Sequence, residues 1–171
     1  MKTSFQKIIA AAFAVIIISS FLFSCKKDKD DEPDLIKRTT ATFSGASETP
    51  AIPSSGTGTA VISYDQGTKV ITYTLTWQLG LATDQTVNMH FHGAADGDDT
   101  HSSGVVIPIT GFSTGSSGTL SGSTRALSQE EENQLLAGRW YVNIHSSTYP
   151  GGELRANIKF SSSSNGGGVI Y

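Results

Sequence analysis

The chain has 171 residues, with 12 Lys and Arg against 15 Asp and Glu, four His and a single Cys. A net charge of −3 excludes a basic surface built for nucleic acid. One cysteine excludes an internal disulfide, and residues 39–160 are enough for one domain with one core.

The amino terminus reads as a secretory leader over residues 1–24. Lys2 and Lys7 form its positive region, residues 8–23 an uncharged apolar run, and small residues follow. That run of 16 residues is shorter than the roughly 20 that a membrane-spanning helix needs. Leu22-Phe23-Ser24-Cys25 resembles a bacterial lipobox, in which the cysteine becomes the lipidated first residue. Acyl chains on Cys25 would supply the two signals that stable membrane anchoring requires. Residues 25–38 then form a charged tether with almost nothing to bury. Lys29-Asp30-Asp31-Glu32 is similar to the lysine-then-acidic signals that send Bacteroidota lipoproteins to the outer face of the outer membrane, although any lipoprotein linker tends to be charged. The expected location is therefore the outer membrane, on its cell-surface or periplasmic side. Without Lys2 and Lys7 the chain keeps 10 basic against 15 acidic residues, so no nucleic-acid partner is expected. Residues 161–171, rich in Ser and Gly, read as a flexible tail.

Between these ends, short alternating segments separated by Gly, Ser, Asp and Asn clusters predict an antiparallel Greek-key sandwich of about eight strands with one short helix, an all-β class. The strands fall at 40–44, 57–64, 69–77, 86–92, 105–109, 118–123, 139–145 and 153–160. In 69–77, Ile71, Tyr73, Leu75 and Trp77 share one face and three threonines the other. The turn at 64–68 makes 57–64 and 69–77 a hairpin. Alternation turns Val87, Met89 and Phe91 inward in the fourth strand and Trp140, Val142 and Ile144 inward in the seventh. In the last strand it turns Leu154, Ala156, Ile158 and Phe160 inward and Glu153, Arg155, Asn157 and Lys159 outward. Ser128 followed by Glu131 is a capping box, Leu135 and Leu136 supply the helix's apolar contact, and Gly138 stands where it should end.

Several motifs in this order resemble the CHRD family, named for domains first described in chordin. They are Gly45-Ala46-Ser47-Glu48-Thr49-Pro50, Gly56-Thr57-Gly58-Thr59-Ala60, Leu75-Thr76-Trp77-Gln78-Leu79-Gly80-Leu81 and His90-Phe91-His92-Gly93. They continue with Leu127-Ser128, Trp140-Tyr141-Val142-Asn143-Ile144-His145 and Tyr149-Pro150-Gly151-Gly152-Glu153-Leu154-Arg155. The acidic stretch Asp96-Gly97-Asp98-Asp99-Thr100-His101 departs from the short Pro- and Gly-rich turn common at that place in the family. The resemblance implies an extracellular β domain and brings no catalytic mechanism with it.

The residues that stand out chemically are histidines on polar strand faces. Alternation leaves Asn88, His90 and His92 on one face of their strand and Tyr141, Asn143 and His145 on one face of theirs. Side chains two apart on a strand are about 7 Å apart at the backbone and lean the same way, so His90 and His92 suit a common ion. If the strands are neighbours, His145 completes a three-ligand site for Zn²⁺ or Cu²⁺ with a position left for water. Asn88, Asn143, Glu153 and Arg155 lie where they would support such ligands from a second layer. The same histidines suit a purely structural role better still, hydrogen-bonded to backbone or to those four side chains. The arrangement resembles Cu,Zn superoxide dismutase, but four histidines and no disulfide fall short of that enzyme's inventory. Asp96, Asp98 and Asp99 lack the central Gly and terminal Glu of a calcium-hand loop. Gly111-Phe112-Ser113-Thr114-Gly115 matches a hydrolase elbow motif but falls in a turn between strands. No complete catalytic constellation emerges. Two readings stand: a non-enzymatic envelope module whose outward histidine-bearing face or long Gly/Ser loops meet a protein or glycan partner, or a metal-binding envelope protein.

Overall fold

The computed structural model describes residues 35–161. The leader, Cys25 and the tether up to residue 34 lie outside the described residues, as do residues 162–171. Among the described residues no helix is long and apolar enough to cross a membrane.

Eight strands form one antiparallel sheet: β1 (Ile36–Ser44), β2 (Thr57–Asp65), β3 (Val70–Gln78), β4 (Thr86–Gly93), β5 (Val105–Pro108), β6 (Ser117–Ser123), β7 (Trp140–Ser146) and β8 (Leu154–Ile158). Their spatial order is β5-β4-β7-β8-β1-β2-β3-β6. Between β8 and β1 the pairing narrows to Ser44 opposite Arg155, so the sheet bends there into two four-stranded halves. The halves face each other: Tyr73 of β3 meets Phe91 of β4 edge to face, with ring centroids 5.4 Å apart. This is the all-β sandwich that the alternating segments predict. The β2–β3 hairpin turns on Asp65, whose Oδ1 accepts from the backbone N–H of Gly67 (2.8 Å) and Thr68 (3.2 Å), and Lys69 takes the left-handed conformation at φ 58°. β1 starts at Ile36, four residues before the expected strand, because Ile36 to Thr39 pair with Asp65 to Ile62 of β2.

The core is the apolar face of every strand folded inward. Phe43, Ile62, Tyr64, Ile71, Leu75, Met89, Phe91, Val142, Ile144, Leu154, Ala156 and Ile158 are fully buried. Each large aliphatic or aromatic side chain removed from water here contributes about 1.5–3 kcal/mol before the entropy of ordering it is subtracted. Trp77 brings its polar edge into this interior and finds a partner, donating to Thr86 Oγ1 at 2.8 Å, while Thr86 donates on to Gly115 O at 2.8 Å. The helix α1 (Gln129–Leu136) forms with its capping box complete: Ser128 Oγ accepts from Glu131 N–H, and the Glu131 carboxylate accepts from Ser128 N–H. Leu135 is the buried contact, whereas Leu136 is exposed.

Two expectations about side-chain direction need correction. Val87 is 46% exposed rather than inward, because the β4–β7 register shifts between Thr86 and Asn88, and this bulge buries Thr86 in its place. Glu153 and Arg155 do leave the core by alternation, but they do not reach water. They are 0% and 1% exposed under loops that fold back over β4, β7 and β8.

Candidate metal centre

Strand register brings the three histidines together. β4 and β7 are neighbours, with His92 opposite Tyr141, His90 opposite Asn143 and Asn88 opposite His145. On the far side of β7, Asn143 stands opposite Arg155 of β8, and Tyr141 opposite Asn157. Gly93 ends the His-x-His-Gly motif because the strand passes so close to the Trp140 indole that a Cβ would collide with it. One ring nitrogen from each of His90, His92 and His145 lies within 4.8 Å of the other two.

Hydrogen bonds decide which nitrogens are available. His92 Nδ1 is 2.9 Å from Ser103 O, and His145 Nδ1 is 2.8 Å from Pro150 O. A carbonyl oxygen only accepts, so both Nδ1 atoms carry hydrogen and both Nε2 atoms of the neutral rings present lone pairs. His145 Nε2 directs its lone pair to His90 Nδ1 at 3.2 Å. His92 Nε2 is buried and has no hydrogen-bond partner. A metal with nitrogen ligands at about 2.0–2.1 Å in a tetrahedron holds neighbouring nitrogens about 3.3 Å apart. The His90–His145 pair already has that spacing. An ion there would need His90 to carry its hydrogen on Nε2 instead of Nδ1, both rings to turn so that their lone pairs converge, and the cluster, spread over up to 4.8 Å, to close around it. Ligand histidines typically have their second ring nitrogen fixed by a carbonyl in this way.

The electrostatics favour the same state. Burial pushes the His92 imidazole down to about 4, helped by its neighbours His90 and His145 and by the Arg155 guanidinium, against the opposing pull of the Ser103 carbonyl. Burial also lowers His90, with the second contribution from His145. Both rings are therefore neutral at pH 7, the form that ligates.

The four expected second-layer side chains lie around the centre, yet none of the hydrogen bonds described for them reaches His90, His92 or His145. Asn88 accepts from the backbone of Met89. Asn143 donates to the Glu48 carboxylate. Glu153 Oε1 accepts from Ser54 Oγ (2.6 Å) and Gly80 N–H (2.7 Å). Arg155 donates to Asn157 Oδ1 (2.7 Å), Asp98 O (2.7 Å), His101 O (3.0 Å) and Thr49 Oγ1 (3.4 Å). The supporting layer instead consists of the Ser103 and Pro150 carbonyls and of Tyr141, whose ring stacks on His92 at 4.7 Å with an interplanar angle of 2°. Alternation could place Tyr141 on this face, but nothing local marks which loop carbonyl will meet a histidine. The acidic loop gives backbone carbonyls to Arg155, while Asp98 bonds Thr100 and His101 within the loop itself.

Sequence reasoning gave Glu48 no role at this site. It lines a cleft of about 250 Å³ with Pro50, Ile52, Tyr149, Pro150 and Gly152. Burial pushes its carboxyl up to about 7, against the lowering effects of Arg155 and the Asn143 bond. Its only early signal was a place in the Gly-Ala-x-Glu-x-Pro opening. Gly152, at φ +130°, has no room for a Cβ beside the Glu48 and Asn143 side chains.

No curated protein and no solved structure matches the chain. The family model described as CHRD domain matches residues 39–158, from Thr39 in β1 to the end of β8 where the site's framework closes, and the chain belongs to the CHRD domain family.

Proposed function

We propose that this CHRD protein is a lipid-anchored, non-enzymatic module of the bacterial cell envelope that binds Zn²⁺ or Cu²⁺ through His90, His92 and His145. One juxtaposition carries the metal reading: His92 has a buried, unpartnered Nε2, and its ring belongs to a cluster in which one nitrogen from each of His90, His92 and His145 lies within 4.8 Å of the other two. A buried polar atom without a partner costs about 1–3 kcal/mol, and an ion bound there removes that cost. The reading of the histidine face as an open docking surface for a protein or glycan has less support. His92, Tyr141, Asn143, Glu153 and Arg155 are all under 9% exposed beneath the protein's own loops.

The test is calorimetric titration of chelator-stripped, tag-free protein with Zn²⁺ and with Cu²⁺. One ion per chain with sub-micromolar affinity is expected, and no heat at micromolar protein would remove the reading. The anchor rests on Leu22-Phe23-Ser24-Cys25 and the lone thiol. Cys25→Ser should move the protein from the membrane fraction to the soluble one and abolish incorporation of labelled palmitate. Unchanged membrane association would refute the anchor and leave the metal site untouched.

A further inference from the structure

The charge of Arg155 and its geometry push the histidine centre in opposite directions. Its guanidinium is buried beside imidazoles that would hold a cation, and by Coulomb repulsion it disfavours positive charge at His92. Its contacts do something else. The carbonyls of Asp98 and His101 are held by its Nη2 and Nη1, which draws the 98–103 segment down onto the sheet. Two residues beyond His101, Ser103 donates its N–H to the Tyr141 hydroxyl at 3.0 Å, and its carbonyl takes the His92 Nδ1 hydrogen. Tyr141 lies on β7 between His92 on β4 and Arg155 on β8, so its ring is clasped from both sides. His92 stacks on one face, and Arg155 sits 3.7 Å from the ring centroid on the other.

We propose that Arg155 and Tyr141 are positioning residues for the metal centre: together they fix the tautomer and the ring plane of His92, with its Nε2 lone pair aimed at His90 and His145. The proposal rests on the metal reading for its affinity consequence, but the tautomer of His92 is a property of the metal-free protein. A planar fork is needed to hold two carbonyls and an aromatic face together, so lysine cannot replace Arg155 here.

Two measurements on full-length, tag-free protein test it. Zn²⁺ affinity is read by competition with a chromophoric chelator, and the His92 tautomer in metal-free protein by long-range ¹H–¹⁵N correlation. In the wild type His92 should show a single Nδ1–H form. Arg155→Met and Arg155→Lys should both weaken Zn²⁺ by about 10–100-fold and give a mixture of His92 tautomers. Tyr141→Phe, which preserves the ring and therefore the packing, should lose the Ser103 tie and weaken Zn²⁺ by a smaller factor. Were charge the whole effect, Arg155→Met would bind Zn²⁺ more tightly, and that result overturns the proposal. So does an unaltered His92 tautomer in folded Tyr141→Phe and Arg155→Lys. A wild type that binds no Zn²⁺ defeats the metal reading instead, and the tautomer of the variants still decides the positioning roles.

Discussion

The two halves of the sandwich obey the same alternation and end with opposite outer faces. On β2, β3 and β6 the outward residues stay in water. Thr74 bonds Ser121 at 2.8 Å and Thr76 meets Thr119 at 3.2 Å, both in exposed cross-strand pairs. On β4, β7 and β8 the equivalent positions hold His92, Tyr141, Asn143 and Arg155, all buried. Strand pattern does not make the difference; connections do. β2 and β3 are joined by a tight turn, which covers nothing, whereas residues 45–56, 94–104 and 147–153 fold over the other half. A covered polar face is where dielectric screening is weak and every donor needs a partner, and it is the face on which the histidines lie.

That contrast can be broken at several points. The largest effect is expected from His92→Ala, which should weaken Zn²⁺ by at least about 100-fold by removing one of the three proposed ligands. Thr76→Ala on the bare face should leave the same titration unchanged. Next comes Glu153→Leu, which leaves the Gly80 N–H and the Ser54 hydroxyl without their acceptor inside the covered face. Urea unfolding should show a loss of about 2–4 kcal/mol.

Glu48 sharpens the comparison through pH. Its carboxyl is raised from 4.5 to about 7 in the folded protein. Folding therefore binds a proton there, and its stabilising share is complete below about pH 4.5 and lost as pH rises through 7. His92 acts with the opposite sign. Depressed from 6.5 to about 4, it contributes stability above 6.5 that is lost as pH falls toward 4. Wild type minus Glu48→Gln isolates the first effect: the wild type should lose ground to the variant as pH rises from 5 to 8 in urea titrations. A difference that is flat with pH would refute the assignment. The smallest effect is expected from Thr74→Ala, within about 0.5 kcal/mol of wild type, since it removes one exposed bond from the bare face.

How much of this was legible from residues alone follows the same division. Alternation placed Met89, Phe91, Val142, Ile144, Leu154 and Ala156 inside, and it placed three imidazoles on one face before their neighbours were known. Val87 escaped because a bulge leaves no mark on a pattern of period two. The burial of Glu153 and Arg155 escaped for a deeper reason. Alternation says which side of a sheet a residue occupies, and it is silent on whether a loop fifty residues away will land there. Ser103 and Pro150 enter the site through backbone carbonyls that every residue carries, so no composition could single them out. A hint did exist: connections as long as 45–56 and 94–104 are longer than two-layer packing requires.

β1 would have a mechanical consequence if the domain is held through Cys25, as proposed above. The first strand is not an edge. It lies inside the sheet between β8 and β2, with nine consecutive residues in register from Ile36 opposite Asp65 to Ser44 opposite Thr57. Any pull arriving from the residues before Ile36 runs along that strand, at right angles to its hydrogen bonds, and loads them together instead of unzipping them one by one. Drag on the domain would thus be spread over a nine-residue ladder, matched in length by the β2–β3 ladder beside it.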